Sequence, residues 1–72
     1  MKNFVEFIFA HSGKKFLLDI DKIIYIQESK VNESFTRLYI NDDDDSYEVK
    51  HTYDEVISII SQCDVCIVRL NK

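Results

Sequence analysis

Apolar and polar positions along this chain fall into a run of short alternating blocks, then one block of helical period. Residues 4–10 (FVEFIFA) are apolar throughout except Glu6. In an extended strand Val5, Phe7 and Phe9 take one side and Phe4 and Ile8 the other. A first strand that is apolar on both faces is therefore predicted. HSGKK makes a turn, with Gly13 the residue suited to positive φ. Residues 15–20 (KFLLDI) set Phe16, Leu18 and Ile20 against Lys15, Leu17 and Asp19, a second strand. The β-branched run 22–28 (KIIYIQE) predicts a third. After the polar connection SKVNES, residues 35–41 (FTRLYIN) predict a fourth, with Leu38 and Ile40 opposite Phe35, Arg37 and Tyr39. Residues 46–51 (SYEVKH) predict a fifth, with Tyr47 and Val49 opposite Glu48 and Lys50.

The period then changes. Tyr53, Val56, Ile57 and Ile60 have the i, i+3, i+4, i+7 spacing of an amphipathic helix. Thr52 and Glu55 form a capping-box sequence, in which each side chain serves the other residue's backbone N–H. Asp54 and Glu55 sit favourably at the positive end of the helix dipole. The helix should stop near Gln62 and Cys63, and the β-branched residues 65–72 (VCIVRLNK) predict a sixth strand. The expected fold is a small α+β domain spanning residues 1–72. It is an antiparallel β-meander of five or six strands with one amphipathic helix, in the order β-β-β-β-β-α-β, since short connections favour hairpins.

One helix of three turns covers only one face of such a sheet. Phe4 and Ile8 lie on the other face, and Leu17, Ile23, Tyr25, Phe35 and Tyr39 extend it. Monomers seldom leave a large contiguous apolar patch in water. The sheet must therefore curl into a small barrel or offer its second face to a protein partner.

Composition adjusts this picture in three ways. With 72 residues and 46% apolar content, the chain forms one domain with a thin core and is not disordered. The net charge of −4, with thirteen acidic residues against nine scattered basic ones, argues against nucleic acid as the main partner. The apolar stretch at 4–10 is interrupted by Glu6 and is followed by no small-residue cleavage site. It reads as a strand, not a signal peptide, and no run is long enough to span a membrane. The expected compartment is the cytoplasm, where Cys63 and Cys66 remain thiols.

Candidate chemistry is sparse. Asp42, Asp43, Asp44 and Asp45 stand between two predicted strands. A calcium loop needs alternate oxygen ligands, a central glycine and a distal glutamate. Asn41, Asp43 and Asp45 alternate, but the glycine and the distal glutamate are missing. The run reads as a charged hairpin turn that deters edge-to-edge aggregation, and it is the one local feature that could face a basic partner. Cys63-x-x-Cys66 follows a helix, whereas a redox pair wants a helix N-terminus. A zinc site would need both His11 and His51. Buried structural thiols are the preferred reading. No nucleophile elbow or phosphate-binding glycine loop is present. No catalytic, metal or cofactor site is therefore expected. Lys14, Lys15, Lys30, Arg37 and Tyr39 could form a basic, aromatic face for nucleic acid, but the net charge favours reading them as a solvated strand face.

Several segments resemble the FlbD-like family of small bacterial proteins. Gly13-Lys14-Lys15 matches the family's first turn and Asp21-Lys22-Ile23 the segment before its third strand. Tyr47-Glu48-Val49-Lys50 matches the strand before the helix and Asp54-Glu55-Val56 the helix start. The resemblance covers about residues 4 to 60. It departs at Asn41 and the aspartates, where the family has an Asn-Gly turn, and at His51, where glutamate is usual. It implies a small bacterial module without catalysis. A weaker likeness, Ile24-Tyr25-Ile26-Gln27, is to LytTR-type DNA-binding domains. The expected function is protein–protein interaction or regulation, as a homodimer. The expected interaction surface is Phe4, Ile8, Tyr25, Phe35, Tyr39 and Asp42 to Asp45. A LytTR-like DNA-binding module and a phage or mobile-element inhibitor with an acidic surface are the alternatives.

Overall fold

The computed structural model describes residues 3–40 and 46–70. Five strands and one helix are formed there: β1 (Phe4–Ile8), β2 (Lys15–Asp19), β3 (Ile23–Glu28), β4 (Thr36–Ile40), β5 (Ser46–Val49) and α1 (Tyr53–Ser61). The α+β class and the antiparallel pairing agree with the sequence pattern. The single meander does not. β1 and β2 form one two-stranded sheet, and β3, β4 and β5 a second of three strands.

The break falls between β2 and β3. Asp19 accepts a hydrogen bond from the Asp21 backbone N–H at 3.1 Å and caps a single 3-10 turn, Ile20–Lys22. That turn drives Ile20 into the core and swings the chain away from β2 before β3 begins. In place of a β2–β3 ladder, the end of β1 meets β5. Phe9 and Val49 form an antiparallel bridge. Ala10 N–H donates to Glu48 C=O at 2.9 Å and Lys50 N–H to Ile8 C=O at 2.8 Å. The strands therefore run β2-β1-β5-β4-β3 in space, a curled arrangement in which the first and last strands touch.

The core fills this curl. Val5, Phe7, Leu18, Leu38, Ile40 and Val49 come from the strands, Ile20 from the 3-10 turn, and Val56 and Ile60 from the helix. Apart from Ile20, each is at the strand or helix position its alternation predicts. Burying one such side chain stabilises by about 1.5–3 kcal/mol before chain entropy is counted. Phe9 stacks on Phe16 with centroids 4.0 Å apart, and Tyr47 meets both rings edge-on. The inner side of β1 thus continues as an aromatic cluster. Thr36, fully buried, donates its hydroxyl to the His51 carbonyl at 2.7 Å, so its polar group is satisfied while β4 is tied to the start of the helix.

Helix α1 starts where the capping box places it. Thr52 Oγ accepts from Glu55 N–H at 3.2 Å, and Glu55 Oε1 accepts from Thr52 N–H at 2.9 Å. It ends at Ser61 with Gln62 as its C-cap, close to the expected stop near Gln62 and Cys63. Gly13 takes φ +73° in the β1–β2 turn, a conformation that glycine adopts without strain.

Two expectations fail here. Residues 65–70 form no strand. A tight turn in which Val65 N–H bonds Cys63 C=O at 2.8 Å leads the chain out of the helix, and the tail then runs beside α1 without joining a ladder. Ile23 packs against the core and does not extend the second apolar face. The β3–β4 register shifts between Ile23 and Tyr25, and that irregularity turns Ile24 outward.

Candidate functional site

The most organised polar group of the fold lies on the outward side of β5. Strand alternation sends Val49 inward and Glu48 outward, opposite Arg37 of β4. The β1–β5 bridge carries the β1–β2 turn to the same place, and with it His11. The loop after β3 contributes Ser29. Glu48 Oε1 accepts from His11 Nε2 at 2.6 Å, and Oε2 accepts from the Ser29 hydroxyl. Arg37 reaches the same Oε2 at 3.5 Å. The side chain of Glu48 is only 9% exposed. The Ser29 hydrogen bond does most to hold its pKa below the ordinary value of 4.5. Burial pulls the other way. The His11 hydrogen bond and the Arg37 and His11 charges assist Ser29.

A serine, a histidine and a carboxylate in contact invite comparison with a nucleophilic triad, but the connectivity is different. In a triad the imidazole stands between hydroxyl and carboxylate and takes the hydroxyl proton. Here the carboxylate stands between the other two and accepts from both. Ser29 Oγ also accepts from the backbone N–H groups of Val31 at 3.2 Å and Asn32 at 3.4 Å, which occupies its lone pairs. A carboxylate with a lowered pKa is a weak base at neutral pH. The group is a clasp that fastens the β1–β2 turn and the β3–β4 loop onto β5. Sequence alternation places Glu48 on a polar face with Lys50, but His11 and Ser29 become its partners only through the β1–β5 contact.

The expected interaction residues are distributed over several outward surfaces. Phe4, 57% exposed, lies on the outer side of the β1–β2 hairpin with Ile8, which is half-buried, and Leu17, 66% exposed. Tyr25 and Tyr39 face each other across β3 and β4 with rings stacked at 4.2 Å, and the Tyr39 hydroxyl reaches Gln27 at 3.5 Å. Phe35 is half-buried and meets the His11 ring edge-on at 6.1 Å. The structure thus joins Tyr25 to Tyr39, and Phe35 to the clasp, while Phe4 and Ile8 belong to the separate hairpin face. Asp42, Asp43, Asp44 and Asp45 lie outside the described residues. Both cysteines are free thiols. Cys63 is half-buried against the core and Cys66 is exposed, so neither is the fully buried thiol expected.

The surface that sequence reasoning missed lies between β3 and the tail. Beside Tyr25, Ile24 is exposed on β3, and Val65, Val68 and Leu70 are exposed on the tail. An open groove separates the two, floored by Tyr53, Ile57 and Ile60 of α1 and by the half-buried Ile67. A run that reads as a strand but finds no ladder is the signal that marks it.

Among the described residues no three His, Cys, Asp or Glu side chains are grouped so as to hold a metal ion. No helix among them is long and apolar enough to cross a membrane. Compared with protein-family models, with curated proteins and with solved structures, the chain finds no match.

Proposed function

We propose that this chain is a small non-enzymatic bacterial module, as its resemblance to FlbD-like proteins implies, and that it serves protein–protein interaction or regulation in the cytoplasm as a homo-oligomer. The observation that carries the reading is the apolar surface left on the curled sheet and tail: Ile24 and Tyr25 on β3, and Val65, Val68 and Leu70 beyond the helix. An isolated exposed leucine needs no explanation, but a grouped set beside an open strand edge does. The Ser29–Glu48–His11 order supports a structural role for this triad-like group. Arg37 is turned onto Glu48 and Tyr39 onto Tyr25, which lends no support to a nucleic-acid face on β4. Sedimentation velocity across a concentration series tests the reading. A reversible shift toward a dimer supports it, and a monomer at every concentration rejects it.

A further inference from the structure

The outer edge of β3 and the tail are two open backbones facing one groove. β3 pairs with β4 on one side only. Among the described residues, no backbone hydrogen bond joins residues 66–70 to any strand. The tail is β-branched at Val65, Ile67 and Val68. Its hold on its own domain is slight. Ile67 is half-buried against the core, and Arg69 meets Asp54 at 2.8 Å in an exposed ion pair. Exposed pairs of this kind contribute little. Val68 and Leu70 are 91% and 86% exposed. The groove mouth is acidic, with Glu28, Glu33 and Asp54, while the tail brings Arg69. Edge and tail are thus complementary in charge and in backbone need.

Resting on the self-association reading above, we propose that residues 65–70 of one copy add as a strand to the free edge of β3 in a second copy, with the exchange made reciprocally. The added strand pairs the open backbone groups of both segments, as in other strand-addition complexes. It brings Val68 and Leu70 against a partner, and it lets Arg69 meet the acidic mouth of the other copy's groove. The occupant of the groove is a second copy of this chain, and the sixth strand forms only in the pair.

Hydrogen–deuterium exchange on the full chain at low and high protein concentration tests this, with sedimentation equilibrium on the wild type and on Val68→Pro. Proline removes one N–H from the tail at a position where the side chain is free of the domain. A circular-dichroism melt unchanged from wild type shows that the variant monomer is folded. The expected result is protection of the β3 and 66–70 amides that grows with concentration, and a dimer weakened about tenfold or more by Val68→Pro. If the wild type dimerises and Val68→Pro dimerises equally well, the tail is not the joint, although self-association stands. Protection independent of concentration means that the tail pairs within its own chain and overturns the exchange. A wild type that never dimerises removes both readings.

Discussion

Glu48 and His11 stand 37 residues apart in the chain and 2.6 Å apart in the fold. The contact exists because β1 runs into β5, and it completes a clasp whose other members are Ser29 and Arg37. Glu48→Gln keeps the shape of the side chain but turns one acceptor into a donor that must face either a hydroxyl or an imidazole donor. A charge-assisted hydrogen bond is about twice as strong as a neutral one. The variant should lose about 1–2 kcal/mol of stability in urea denaturation, with the fold retained.

The same group sets an acid limit. Ser29 above all holds the Glu48 carboxyl below 4.5, and the Thr52 backbone N–H followed by its hydroxyl does so for Glu55. Both groups therefore bind protons more weakly in the folded chain than in the unfolded one. Their stabilising contribution is complete above pH 4.5 and is lost as pH falls through the lower, folded values. Urea midpoints measured down the pH scale should start to fall below that point. Glu48→Gln should make the fall shallower, since one of the two linked groups is gone.

The helix start gives a cleaner local test. Thr52→Ala removes the hydroxyl that accepts from Glu55 N–H and should cost about 1 kcal/mol. Thr52→Ser keeps the acceptor and should retain most of the stability, as read by thermal denaturation.

Two leucines separate core from surface. Leu38 on β4 is fully buried, and Leu38→Ala should destabilise by about 2–5 kcal/mol. That is a large share of the roughly 4–11 kcal/mol expected for a domain of this length. Leu17→Ser on the outer face of β2 should stay within about 0.5 kcal/mol of wild type. Urea denaturation at low protein concentration distinguishes them.

Local order in this chain is written locally. Thr52 and Glu55 state the helix start within four residues, and the alternation of Leu38 with Tyr39, or of Val49 with Glu48, states which way each strand faces. The arrangement of strands depends on distant events. The turn capped by Asp19 breaks the meander in three residues of 3-10 geometry, and nothing in KFLLDIDK distinguishes that from a hairpin corner until β1 is seen against β5. The shift between Ile23 and Tyr25 likewise reverses one side chain of an otherwise regular run, exchanging Ile23 for Ile24 on the outside. Residues 65–70 have strand composition, but a strand needs a neighbour, and composition does not supply one. The clasp around Glu48 was hidden for the same reason: its three partners come from three separate segments.

The proposed function requires self-association. Sedimentation equilibrium of the intact wild-type chain over a wide concentration range measures it most directly. A reversible monomer–dimer equilibrium is expected, with the dimer dominant at high concentration. A single species at the monomer mass, 8.5 kDa, throughout that range would contradict it.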